Sequence, residues 1–443
     1  MQEQIISKLG KRVIELFERQ ADKISKQVKF TQRKDKAKLK ARSFLKVLIL
    51  GCLSQRSISL EQMCQLFKEE GIKISKQGLH QRFNTKALSL VKGIYEEAIE
   101  IFKTEQQAVI ELLKHFSGVN ILDSSVIGLP AGMKESYRGC GGTGIESALK
   151  IQTLFDYING QVKDITITEG YKNDQSFKEH LDKIEKGALY LQDLGYFDKS
   201  SFSKIHQQGA YFISRHFNQT ALFNEVLKRI DLAAELGENG TFFAKKVYLG
   251  NKDKVPIRII AQRLAEDEVE KRVRQLRKKA QKKGRTPRQE TLELAKWSIC
   301  ITNVPEEMLK EKQIYLLYSL RWQIELFFKL CKQEVGVDKI RGKRTERVLC
   351  ELYAKFIAVM MLLYLCFPVR WEDTCEVSFP KAYQYLRRNT SEFFKALRSL
   401  YRLKLFLKKF LSDIKEFAMK DRKRKRPATY QKLMQATGQE VLV

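Results

Sequence analysis

The chain has 443 residues, 43% of them apolar and 10% aromatic, a globular composition that excludes an intrinsically disordered chain and allows two or three domains. Its 82 Lys and Arg against 52 Asp and Glu leave a formal charge of +30, which opposes compaction unless a polyanion normally covers part of the surface. Nucleic acid is the partner that charge points to, with an anionic membrane as the competitor. The longest apolar run, residues 356–367, is too short to span a bilayer and reads as a core helix.

The N-terminus alternates charge with apolar residues at helical spacing and lacks the continuous apolar segment of a signal peptide. The 8 cysteines are scattered, with no C-x-x-C pair, so they read as reduced thiols of a cytoplasmic protein. Residues 1–117 read as helical throughout, a DNA-binding region with a helix-turn-helix rhythm at 59–83. There, Ser59 caps a first helix with Leu60, Met63 and Phe67 on one face, and Gly71 ends it. Ser75 caps a second helix with Leu79 and Phe83 inward and Lys76, Gln77, His80, Gln81 and Arg82 outward. Gln77, Gln81 and Arg82 are the candidates for base contact, although an ordinary helix pair has the same pattern.

Near Gly118 the texture changes. Residues 119–130, 147–158, 161–170, 187–197 and 209–217 read as strands, with helices at 174–186 and 199–208. This is an α/β order. A second β-rich region follows at 240–250, 255–264 and 296–304, with a very basic helix within 270–288 that is either solvated or set against a DNA backbone. From about 307 the chain is helical, with a break at 370–380 and a basic run, KDRKRKR, at 420–426. The expected division is 118–217 and 307–368 as two parts of one core, 218–306 as a β-rich insertion, and 369–443 as a helical C-terminal region.

One greasy segment, YSLRWQIELFFKLCK (318–332), carries Tyr318, Arg321, Glu325 and Lys332. At about 100° per residue these fall within an arc of roughly 60°. The row is either the solvated face of an amphipathic helix or a functional stripe. Two aspartates also stand out, Asp123 directly after VNIL and Asp193 directly after GALYLQ, each at a strand end where a turn or cap residue is the ordinary alternative. Three carboxylates brought together are tolerable if divalent cations sit among them. Oxygen-only ligands select Mg²⁺ or Mn²⁺, and two such ions suit in-line displacement at phosphorus.

The pattern D-x-G-x-F in DLGYF (193–197), the spacing Y-x2-R-x3-E-x6-K from Tyr318 to Lys332, and the first acid in LDSSVIGLP together closely resemble the DDE transposases of bacterial insertion sequences, in the IS-four family. The resemblance runs from about residue 40 to 370. It implies a ribonuclease-H-like core in which Asp123, Asp193 and Glu325 bind the metal, and a β-rich insertion between the second Asp and the Glu. It implies that Tyr318, Arg321 and Lys332 grip phosphates flanking the cut, and that Trp297 stacks on a base flipped from the duplex. The expected function is cut-and-paste transposition through a DNA hairpin, on double-stranded DNA and by a homodimer assembled there. The alternatives are an inactive DNA-binding regulator and a host nuclease of the same fold.

Overall fold

The changes of hydrophobic period along the chain mark the elements of the computed structural model, which describes residues 2–30, 39–104, 110–140, 145–238, 240–372, 375–421 and 427–438. Most of the basic run at 420–426 therefore lies outside the described residues. The N-terminal region is helical: α1 (Gln2–Glu15), a π-helical turn (Leu16–Gln20), α2 (Ala21–Gln27), α3 (Ala41–Ser54), α4 (Leu60–Glu69), α5 (Lys76–Arg82) and α6 (Thr85–Ile101). Ser59 and Gln62 form the reciprocal cap that starts α4, with Oγ accepting from the Gln62 N–H at 3.1 Å and the Gln62 side chain accepting from the Ser59 N–H at 2.9 Å. Gly71, with φ of +75°, turns the chain out of α4. Ser75 caps α5 through the Gly78 N–H. Leu79 and Phe83 are fully buried, while Gln77, Gln81 and Arg82 are exposed, as the sequence pattern predicts.

The core sheet begins with β1 (Val119–Gly128), β2 (Ala148–Asp156) and β3 (Gln161–Glu169), an antiparallel meander. Strands β4 (Leu189–Gln192) and β5 (Tyr211–Arg215), linked by α7 (Lys199–Gln207), then run parallel to β1. The insertion adds β6 (Leu222–Phe223), α8 (Leu232–Gly237), β7 (Phe242–Leu249), β8 (Val255–Arg263), α9 (Glu266–Gln281), α10 (Gln289–Ala295) and β9 (Trp297–Thr302). It is not a separate sheet. Strand β9 pairs antiparallel with β5, so one nine-stranded mixed sheet has the order β3-β2-β1-β4-β5-β9-β8-β7-β6.

Two expectations fail here. Residues 174–186 form no α-helix but two short 3₁₀ turns, Asp174–Ser176 and Glu179–Lys183. Side-chain bonds to other elements compete with a helical ladder in this segment: Asp174 is drawn to Ser124, Lys150 and Gln152, and Lys178 to Asp198 and Ser201. The row 318–332 is likewise not one α-helix. Tyr318 lies near the end of α11 (Glu311–Ser319), Arg321 caps α12 (Trp322–Lys329), and Lys332 lies in a π-helical turn (Leu330–Val335), where the i→i+5 ladder shifts the phase of the face.

The rest is helical around a small hairpin of β10 (Trp371–Glu372) and β11 (Cys375–Glu376): α13 (Thr345–Cys366), α14 (Phe379–Arg388), α15 (Thr390–Ala396), α16 (Leu400–Phe417) and α17 (Thr429–Gln435). The segment Thr345–Val369 is long and apolar enough to cross a membrane, but 83% of its most apolar window is buried inside the protein. Helix α13 packs against α3 and α6 on one side and β3 on another, so the N-terminal helices share one hydrophobic core with the sheet.

Lys355, within α13, is 1% exposed. Its ammonium donates to the carbonyls of Arg56, Gly336 and Lys339 at 2.8, 2.6 and 3.0 Å. It therefore ties the entry to α4 to the exit of the π-helical turn after α12. Gly336 has φ of +71°, and a Cβ there would lie 2.7 Å from the Arg56 Cβ. Lys355→Met keeps an unbranched apolar stem, one atom shorter, but leaves three buried carbonyls without their donor. It is expected to destabilise the chain by about 2–4 kcal/mol in urea unfolding; an unchanged midpoint would show that these carbonyls find other partners.

Candidate active site

Leu122 and Gln192 are the last paired residues of the parallel strands β1 and β4. Asp123 and Asp193 are the next residues on each strand, so the register alone sets the two acids side by side at neighbouring strand ends, where strands lie about 4.8 Å apart. At Asp193 the chain leaves the sheet into a 3₁₀ turn (Leu194–Tyr196), and its carboxylate accepts from the Leu194 N–H at 2.6 Å. Asp123 accepts from the Ser124 N–H at 2.8 Å.

The third acid comes from α12, which packs on β1. Ile324, Phe327 and Phe328 face the core, with the Phe327 ring centroid 5.6 Å from that of Phe155 on β2. The opposite side brings Arg321 and Glu325 to the strand ends. The Arg321 guanidinium bridges Asp123 at 3.1 Å and Glu325 at 2.6 Å. Burial pushes the Asp123 carboxyl up to about 6, with Asp193 and Glu325 adding to the rise against the pull of Ser124 and Arg321. Burial works against the charge of Arg321 too, but its bond to Glu325 and the fields of Asp193 and Asp123 prevail, and its pKa is raised. Among the described residues no three His, Cys, Asp or Glu side chains are drawn close enough to hold a metal ion; a guanidinium stands between two of the three acids. The donor chemistry nevertheless fits Mg²⁺ or Mn²⁺. The three groups are oxygen donors only, and their mutual repulsion is what a divalent cation relieves.

Tyr318 is half-buried beside them. Burial and then the charge of Asp193 raise its phenol to about 12, and the Arg215 guanidinium lies 5.6 Å from its ring centroid. Tyr318, Arg321 and Asp193 line a cleft of about 450 Å³ that also includes Trp297, Arg215, Arg272 and Lys279. Trp297 is 5% exposed. It packs in the strand core of β9 and also lines the cleft. Lys332 is half-buried and makes no ion pair with the three acids among the described residues. Gln77, Gln81 and Arg82 are on α5 and not in this cleft.

Several residues here are not marked by any sequence motif. Asp174 accepts from Ser124 Oγ at 2.8 Å, Lys150 Nζ at 2.9 Å and Gln152 Nε2 at 3.1 Å. The Tyr196 hydroxyl donates to Gln152 Oε1. This half-buried network anchors the turn after Asp193 to β1, which carries Asp123, and to β2. Arg272 and Lys279, on the cleft side of α9, were legible only as part of a basic run.

The raised Asp123 sets a pH expectation. Its folded value of about 6 lies above its ordinary 3.8, so the folded state holds the proton more tightly. The stability contributed by Asp123 is thus present below about pH 4, lost as pH rises toward 6, and absent above. In chelator, Asp123→Asn is expected to gain clearly more thermal stability relative to the parent at pH 7.5 than at pH 4.5. An identical difference at both values would place the carboxyl at an ordinary pKa.

Comparisons with known proteins identify the family. Residues 114–361 match the family model described as Transposase DDE domain. The chain is 30% identical over 421 residues to the transposase of insertion sequence element IS231B of Bacillus thuringiensis subsp. berliner, covering 86% of this chain and 87% of that one. It is 28% identical over 452 residues to the transposase of IS1151 of Clostridium perfringens, covering 94% and 93%. Among solved structures, the cryo-EM piggyBac transposase synaptic complex with hairpin DNA aligns with a TM-score of 0.45 at 11% identity over 90% of this chain and 84% of that chain, a likeness too loose to argue from. The family model spans more than half of the chain and a relative at 30% identity spans most of it: the protein belongs to the DDE transposases of bacterial insertion sequences.

Proposed function

We propose that this transposase cuts DNA at the ends of its element by metal-dependent phosphodiester hydrolysis, passes through a DNA hairpin, and joins the freed ends to target DNA. The observation that carries the reading is the convergence of Asp123, Asp193 and Glu325 from two adjacent parallel strand ends and one helix. The strand order β3-β2-β1-β4-β5, with β1, β4 and β5 parallel, supports a ribonuclease-H-like core around them.

The three carboxylates would hold Mg²⁺ or Mn²⁺, which when bound supply an activated water and neutralise charge at the phosphorus. The chain's own residues do the rest. Arg321, freed from its carboxylates, turns toward the phosphates that flank the cut, with Tyr318 and Lys332 as further phosphate contacts. The indole of Trp297, on the wall of the cleft, offers a stacking surface for an extruded base. No protein nucleophile is required, so the phenol of Tyr318 stays protonated as a hydrogen-bond donor. Helix α5 enters the major groove of the element's end with Gln77, Gln81 and Arg82 toward the bases, and two protomers assemble on the DNA.

Asp123→Ala, Asp193→Ala and Glu325→Ala are each expected to abolish cleavage of end-labelled duplexes in Mg²⁺, by at least about a thousandfold, while end binding in gel shift is retained. A variant that still cuts at the parent rate would remove that acid from the ligand set.

Gln77→Ala, Gln81→Ala and Arg82→Ala are expected to lower discrimination between the element's end and unrelated duplex by about 1–3 kcal/mol per lost base contact, with the melting temperature unchanged because all three side chains are exposed. Unaltered discrimination in all three would assign end reading to another surface.

A further inference from the structure

A second cavity, of about 550 Å³, lies beyond the cleft beside Asp193. The two share His216, Asn218 and Leu294, so they adjoin, with the far cavity on the insertion side of the cleft. Arg229, from the loop after β6, and Arg285 and Arg288, from the turn between α9 and α10, line the far cavity. None of the three has an ion pair among the described residues, as holds for most cations of the insertion; Lys245 with Glu235 and Arg272 with Glu268 are among the exceptions. Glu290 is the one carboxylate among the lining residues.

His216 is the second observation. It stands in the wall common to both cavities, held there as its backbone N–H donates to Ile299 O at 3.0 Å. It is 6% exposed, and its Nδ1 has no hydrogen-bond partner. Buried polar atoms are rarely left so. Burial lowers the ring's pKa to about 4, so the imidazole is neutral at physiological pH and can take one hydrogen bond of either sense through that nitrogen.

We propose that this far cavity is a nucleotide subsite, in which Arg229, Arg285 and Arg288 hold the phosphodiester of a single DNA strand continuing out of the catalytic cleft and His216 meets the edge of one base. Unpaired guanidinium groups suit phosphate oxygens, which they bind in bidentate fashion. The volume lies within the range of about 300–1,000 Å³ typical of ligand pockets. The adjacency of the far cavity to the cleft beside Asp193 favours a strand over a free nucleotide. The subsite rests on the reading that the chain cuts DNA, and it differs from the Trp297 wall, which lines the near cleft only.

The test uses the full chain and duplexes that stop at the element's end, blunt or with six unpaired nucleotides on the flanking side or on the element side. Binding is measured across salt concentration for the parent, for Arg285→Gln with Arg288→Gln, and for His216→Phe. The arginine pair is expected to weaken binding about tenfold or more and to lower the salt slope by about 1–2 on one overhang only, which identifies the strand; blunt duplex is bound as by the parent. An abasic first unpaired nucleotide should weaken the parent but not His216→Phe. Equal losses on blunt and overhanging duplexes, or no loss at all, would overturn the subsite. So would binding of a nucleoside monophosphate or inorganic phosphate by the DNA-free parent that the arginine variant lacks, since the cavity would then serve a free ligand. Failure of the parent itself to bind any duplex would instead remove the DNA-cutting reading from which the subsite follows.

Discussion

Three carboxylates cannot converge on a half-buried corner without a cation among them. Arg321 is that cation: it bridges Asp123 and Glu325, while Asp193 contributes its field from the neighbouring strand end. Asp123 remains costly even so, because burial outweighs the bonds it makes and lifts its carboxyl toward 6. A corner of this kind is a poor device for stability and a good one for holding divalent ions, whose double charge repays what a single guanidinium repays only in part.

Everything around that corner serves to aim it. Parallel pairing of β1 with β4 sets the first two acids side by side, and the Asp174–Gln152–Tyr196 network stops the turn after Asp193 from swinging away. Aromatic packing of Phe327 on Phe155 fixes the third. At the far end of the same helical segment, the Lys355 ammonium clamps the Gly336 and Lys339 carbonyls together with that of Arg56. The helix-turn-helix pair begins three residues after Arg56, at the Ser59 cap. Helices α4 and α5 and the carboxylate helix are thus joined by short, buried hydrogen bonds.

The insertion completes the cleft by extending the sheet. Because β9 pairs with β5, the wall carrying Trp297 is rigidly continuous with the strand that carries Arg215 and leads to His216. Helix α9, acidic in its first turn and basic thereafter, turns Arg272 and Lys279 to this wall. Its exposed basic residues elsewhere remain available to a long polyanion, which is where much of a +30 charge becomes useful instead of merely repulsive.

Local chemistry determined much of this from the sequence alone. The caps at Ser59 and Ser75, the inward Leu79 and Phe83, the first three strands and the spacing of Arg321 to Glu325 all depend on neighbours within a few residues. They formed as the pattern dictates. Tertiary structure decided what distant partners had to supply. Residues 174–186 carry a helical pattern, but bonds from Asp174 and Lys178 to other elements broke it into 3₁₀ turns. The row from Tyr318 to Lys332 reads as one helix, but a break at Leu320–Arg321 and a π-helical turn re-aimed its ends. Asp174, Lys150 and His216 gave no signal in the sequence, because their significance lies in groups 24 to 83 positions away, from Lys150 to Asp174 and from His216 to Ile299. A lone side chain in a sequence carries no record of which strand will lie beside it.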